Sequence, residues 1–167
     1  MTRSLKYTGT TIAMMEVPDE VALAFEISDC PHRCPGCHSQ HLWTYDGEPL
    51  MDNYLKEIRR YYLPPIRRGI TCVCFMGGEW RPRELILYAR IAHRMRLKVC
   101  LYSGADNLSA IDGQLLNHLD FLKIGGWKSD KGPLGSKCTN QKMFKLRDDE
   151  GRPVILDITN RFQKEYL

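Results

Sequence analysis

The central apolar stretches of this chain run on without polar interruption. "ITCVCFM" (70–76) is continuous and β-branched, as a strand buried on both faces requires. "KVCLYSG" (98–104) and "DFLKIGG" (120–126) read the same way, and "EVALAFEIS" (20–28) is a β-rich segment that pairs with 8–15 through the turn "VPDE". Between them the period changes to that of a helix. Met51, Leu55, Ile58 and Tyr62 share one stripe in "MDNYLKEIRRYY" (51–62), which Pro64 and Pro65 end. Leu85, Tyr88, Ala92 and Met95 share another in "RPRELILYARIAHRM", where Pro82 suits a first helical turn. "SAIDGQLLNHL" (109–119) predicts a third helix.

Strands and helices in alternation, with non-alternating central strands, indicate an α/β fold with a mostly parallel sheet. The end of the chain differs. "KMFKL" and "PVILDIT" flank the turn-rich "RDDEGR" and predict a C-terminal β-hairpin. No internal repeat or linker-like run divides the sequence, so residues 1–167 are expected to form a single domain.

Composition narrows the class. The chain is 43% hydrophobic and 26% charged, as expected of a globular protein, and its net charge is +4. Acidic and basic residues are interspersed, so the charge does not point to nucleic acid. No stretch reaches the roughly 18 apolar residues of a spanning helix, and no membrane partner is expected. "MTRSLKYTGTTIAMMEV" has no secretory pattern, and seven cysteines is an odd count. A disulfide framework is therefore not expected, and the reading is a cytoplasmic chain with reduced thiols.

"CPHRCPGCH" (30–38) places Cys30, Cys34 and Cys37 in a C-x3-C-x2-C loop directly after a predicted strand. Thiolates hold iron–sulfur clusters. A [4Fe–4S] cube has four irons, so three protein thiolates leave one iron open to another ligand. Pro31 and Pro35 restrict the loop, and Gly36 allows close approach of its backbone. Zinc is the rival reading, because His32, His38 and His41 stand close by and Cys3His sites use similar spacings.

"FMGGEW" (75–80) ends the next predicted strand, at the sheet edge where parallel α/β folds bind ligands. Gly77 and Gly78 would let a ligand lie against the backbone, and Glu79 would offer a carboxylate to an ammonium group. Alone, such a sequence reads as a strand-ending turn. Beside an open-cornered cluster it reads as the grip for an amino-acid ligand.

The two motifs together resemble the radical S-adenosylmethionine superfamily. "CPHRCPGCHSQHLW" resembles, more narrowly, the cysteine loop of the activating proteins of anaerobic (class III) ribonucleotide reductases. "LDFLKIGGW", "TNQKMFKL" and "ILDITNRFQ" are similar to further segments of that family, so the resemblance runs from about Cys30 to Phe162. It implies a partial, open β/α barrel. It also implies a cluster held by Cys30, Cys34 and Cys37, with S-adenosylmethionine chelating the fourth iron. Gly36, Cys37 and His38 would lie by its adenine, and Gly77, Gly78 and Glu79 would take its amine. Ser103 and Lys123, at predicted strand ends, are further cofactor contacts. The implied activity is reductive cleavage of S-adenosylmethionine and generation of a glycyl radical on a large reductase subunit. The electron would come from a donor such as flavodoxin or ferredoxin. Trp80 follows the glutamate where relatives often carry proline, and Gly36 stands where many superfamily members carry an aromatic residue.

The alternatives are an activase for another glycyl-radical enzyme, a small-molecule radical enzyme, and a zinc-stabilised binding module without catalysis. Cys72, Cys74 and Cys100 read as core, Cys138 as a loop residue, and Trp43, Tyr102 and Trp127 as pocket lining or packing. The basic run "RRYYLPPIRR" (59–68) reads as a solvated helix face.

Overall fold

A computed structural model describes residues 3–62 and 69–163. Its strands are β1 (Lys6–Ala13), β2 (Ala22–Ile27), β3 (Glu48–Pro49), β4 (Cys72–Met76), β5 (Lys98–Tyr102), β6 (Phe121–Ile124), β7 (Lys142–Arg147) and β8 (Pro153–Asp157). Its helices are α1 (Leu50–Tyr61), α2 (Pro82–Arg94) and the short α3 (Gly113–Leu116). All eight strands join in one open sheet, ordered β3-β1-β2-β4-β5-β6-β7-β8.

The sheet is mixed, and the expectation of a mostly parallel one needs correction. The pairs β2–β4, β4–β5 and β5–β6 are parallel. The pairs β1–β2, β1–β3, β6–β7 and β7–β8 are antiparallel. Crossovers that include helices or helical turns join the parallel strands, whereas β1 turns into β2 and β7 into β8, and such direct turns give antiparallel neighbours. The pairs β1–β3 and β6–β7 add the rest of the antiparallel share. The predicted hairpin is present as β7 and β8.

Side-chain size explains why the central strands carry no polar alternation. Leu23, Phe25, Val73, Phe75, Val99 and Leu101 face the helices and pack with Tyr54 and Tyr88. Ala22, Ala24, Cys72, Cys74 and Cys100 occupy the opposite face. Both faces are buried, but large residues alternate with small ones. The small face lets the segment between β1 and β2 pack closely, with Val17 fully buried against it. The Tyr102 hydroxyl donates to Glu16 O at 2.5 Å and ties that segment down.

Two helices depart from expectation. On α1 the buried residues are Leu50, Tyr54, Glu57 and Ile58, while Met51 and Leu55 are exposed, so the predicted stripe is one position out at its start. Only residues 113–116 of the expected helix at 109–119 are α-helical. Asp112 caps there, its Oδ1 accepting from the amides of Gln114 and Leu115 at 2.9 and 3.0 Å. The preceding Leu108–Ala110 forms a separate 3₁₀ turn. Pro64 and Pro65, with the whole second half of the basic run, lie outside the described residues.

Candidate functional site

The parallel core brings four strand ends to one edge. Glu26, Met76, Tyr102 and Lys123 are successive register partners across β2, β4, β5 and β6. The cysteine loop follows β2, Gly77–Glu79 follow β4, Ser103 follows β5, and Gly125–Trp127 follow β6. All four segments contribute to one cavity of about 190 Å³. It adjoins a cleft of about 470 Å³ and shares with it His32, Cys34, Gly104, Gly126 and Trp127. Together they reach the size of small-molecule sites, about 300–1,000 Å³.

Cys30, Cys34 and Cys37 all line this cavity and are half-buried, with no disulfide. The loop is held by its own backbone: the Cys37 amide donates to Cys34 O at 3.0 Å, and the Cys30 amide to Leu42 O at 2.9 Å. Burial pushes the Cys30 thiol up, so its thiolate is disfavoured until a cation neutralises it. A side chain at Gly126 would come within 3.0 Å of Cys34 Sγ, so this glycine leaves the thiol its room. Among the described residues, no three His, Cys, Asp or Glu side chains are gathered closely enough to hold a single metal ion. Zinc would require such a group, with sulfurs about 2.3 Å from one centre. A four-iron cube takes each thiolate on a different iron.

Glu79 is held by two side-chain contacts on one oxygen. Its Oε1 lies 2.6 Å from His32 Nε2 and accepts from Ser103 Oγ at 2.6 Å. Its side chain is only 8% exposed, and Oε2 is buried without a hydrogen-bond partner among the described residues. The carboxylate beside it raises the His32 pKa. Gly77 and Gly78 both have positive φ, +100° and +105°, a backbone conformation that favours glycine.

Lys123 is buried at the floor of the cavity, where its Nζ donates to Gly125 O at 2.6 Å. Burial lowers its pKa to about 8, against the pull of negative charge at Cys34, Glu79 and Cys37.

Of the residues singled out in the sequence, Cys30, Cys34, Cys37, Gly77, Glu79, Ser103 and Lys123 line the cavity. Gly36 and His38 sit one layer out, both against Trp127, which does line it; the His38 and Trp127 rings are 4.6 Å apart. Gly78 packs on Leu85. His41 is 3.5 Å from Glu26 and is not among the lining residues. Cys72, Cys74 and Cys100 are buried core, and Cys138 is exposed. Sequence reasoning did not find the link from His32 to Glu79, nor Gly104 and Gly126. Those glycines follow predicted strand ends in "YSG" and "IGGW", which is the available signal.

A family model described as a 4Fe-4S single cluster domain matches residues 20–146, from the start of β2 into β7. The chain belongs to this family. The matched span contains the cysteine loop, the Gly-Gly-Glu turn and every strand of the parallel core. No curated protein and no solved structure matches the chain. No helix among the described residues is long and apolar enough to cross a membrane.

Proposed function

We propose that this iron–sulfur protein is a radical enzyme that reductively cleaves S-adenosylmethionine and installs a glycyl radical on a large reductase of the anaerobic ribonucleotide reductase type. The observation that carries the reading is Glu79 Oε2. Among the described residues this buried carboxylate oxygen has no partner, and it belongs to a side chain of the cavity that three cysteines also line. Such an atom is costly unless a ligand satisfies it, and an ammonium group is the natural partner.

In this reading Cys30, Cys34 and Cys37 hold the cluster, which when bound supplies the single electron for breaking the sulfonium carbon–sulfur bond. The chain supplies binding, orientation and exclusion of water. His32 and Ser103 fix one oxygen of Glu79 so that the other is presented to the amine. Lys123 places a positive charge near the thiolates and is the candidate partner for the cofactor's carboxylate. Gly36 and the backbone around His38, backed by Trp127, form the wall proposed for the adenine. The parallel core of an open sheet is read as the partial barrel of this enzyme class, with the open cleft beside His32 as the approach for the partner's glycine segment. An electron donor such as flavodoxin or ferredoxin completes the cycle.

The deciding experiment is anaerobic. The reconstituted, reduced protein is mixed with S-adenosylmethionine and a candidate reductase, and the glycyl radical is sought by electron paramagnetic resonance. Cofactor cleavage with no radical on any glycyl-radical reductase would move the activity to a small molecule. No cleavage at all would overturn the proposal.

A further inference from the structure

Among the described residues, two side chains that line the cavity each carry a buried atom without a hydrogen-bond partner, and the two atoms are of opposite kind. One is the acceptor Glu79 Oε2. The other is the donor Trp43 Nε1, also buried and unpartnered. Neither satisfies the other. Buried donors are nearly always paired, and leaving one unpaired costs about 1–3 kcal/mol. An indole N–H can only donate, so the group that completes it must be an acceptor.

The backbone says which acceptor is near. Trp43 ends the 3₁₀ turn Gln40–Trp43. Its sequence neighbours are bonded to the start of the cysteine loop on both sides: the Cys30 amide donates to Leu42 O at 2.9 Å, and the Asp29 amide to Thr44 O at 3.1 Å. The backbone on both sides of Trp43 is thus tied to Asp29 and Cys30, and Trp43 lines the same cavity as the three cysteines. Electron-rich sulfur is what a cluster would present there.

We infer that Trp43 Nε1–H donates a hydrogen bond to a sulfur of the cluster bound at the cysteine loop and raises its reduction potential. The reduced cluster carries one more negative charge than the oxidised one, so a donor aimed at its sulfur stabilises the reduced form more. Hydrogen bonds to the sulfurs are among the factors that set such potentials. Trp43 is then a tuning residue that makes the electron easier to load. The inference rests on cluster binding by Cys30, Cys34 and Cys37, and not on cleavage of S-adenosylmethionine.

Trp43→Phe keeps an aromatic ring and removes the donor. Wild type and variant are reconstituted anaerobically, their iron and sulfide are counted, and the midpoint potential is measured by redox titration followed by electron paramagnetic resonance. The expected result is equal cluster content with reduction disfavoured about tenfold, a drop of about 59 mV for one electron. A loaded variant at the wild-type potential overturns the inference alone. Failure of the wild type to take up iron overturns the cluster site and the inference with it. If Trp43→Phe does not fold, the full-length chain in a Trp80→Phe/Trp127→Phe background decides, because Trp43 is then its only tryptophan. With an isotopically labelled indole nitrogen, the reduced cluster should show coupling to that nitrogen by electron–nuclear double resonance. Absence of the coupling overturns the inference.

Discussion

His32 Nε2 lies 2.6 Å from Oε1 of Glu79, and the other oxygen of that carboxylate is buried and unpartnered. The bond from Ser103 falls on the same Oε1. Two contacts on one oxygen fix the side chain's rotation, which leaves Oε2 as a positioned acceptor. Glu79→Gln keeps the shape and removes the charge. The cluster should still assemble, while affinity for S-adenosylmethionine should fall about ten- to a hundredfold, equivalent to about 1.5–3 kcal/mol. An anaerobic titration of the cluster-loaded variant, read from the reduced cluster's paramagnetic signal, checks this. Wild-type affinity would remove Glu79 from the amine's site.

Six of the seven cysteines divide into two sets of three, and Cys138 stands apart as an exposed residue. Cys30, Cys34 and Cys37 line the cavity, whereas Cys72, Cys74 and Cys100 are fully buried on the small-residue face of the sheet. Alanine at any of the first three should abolish the intact cluster with the fold retained. Cys72→Ala and Cys100→Ala should keep wild-type iron and sulfide and lose only stability, by about 1–2 kcal/mol from lost packing. A folded Cys72→Ala chain without a cluster would show that the ligand set is misassigned.

The order of elements was legible because the central strands are apolar on both faces and the helices carry a clear stripe. The site edge was legible too, since Cys30, Gly77, Ser103 and Gly125 each stand just past a strand end. The antiparallel share was legible only in part: the turn-linked pairs β1–β2 and β7–β8 were expected, whereas β1–β3 and β6–β7 were not. β3 has only two residues, and β7 returns beside β6 after the long segment 125–141, so no local pattern encodes either pairing. The true face of α1 also escaped, because Leu50, just before the predicted start, is fully buried and its amide donates a hydrogen bond to Leu5 O. The meeting of His32 with Glu79 is a contact between residues far apart in sequence, and no local signal encodes it.

Two glycine substitutions should act in opposite directions. Gly77 has φ +100°, and an added Cβ would meet the Trp80 ring at 3.0 Å. Gly77→Ala should destabilise the chain by about 1–3 kcal/mol through backbone strain. Gly113, the first residue of α3, has nothing within 4 Å of an added Cβ. Gly113→Ala should stabilise by about 0.4–1 kcal/mol, because it restricts the unfolded chain. Urea unfolding of the cluster-free proteins measures both. Equal effects of the two would mean that the Gly-Gly turn carries no conformational demand.

Lys123 gives the cluster-free chain a pH dependence with a definite sign. Burial lowers its pKa from 10.5 to about 8 in the folded protein. Between those values the unfolded chain binds more protons than the folded one, so this group makes stability rise with pH across that window. Its contribution is fully present above the unfolded pKa and is lost as pH falls through about 8, where the buried amine charges. The slope is at most about 1.4 kcal/mol per pH unit. Buried Cys72, Cys100 and Tyr102 have raised pKa values and pull the other way in alkali, so the comparison must be with Lys123→Met, which keeps them. Below about pH 8 the variant should be the more stable by about 2 kcal/mol, after allowing for the lost bond to Gly125 O. The gap should close as pH rises toward about 10. Urea unfolding of both cluster-free chains at several pH values reads the difference directly. A gap that does not change with pH would mean that Lys123 keeps an ordinary lysine pKa despite its burial, and that the floor of the cavity is wetter than its packing implies.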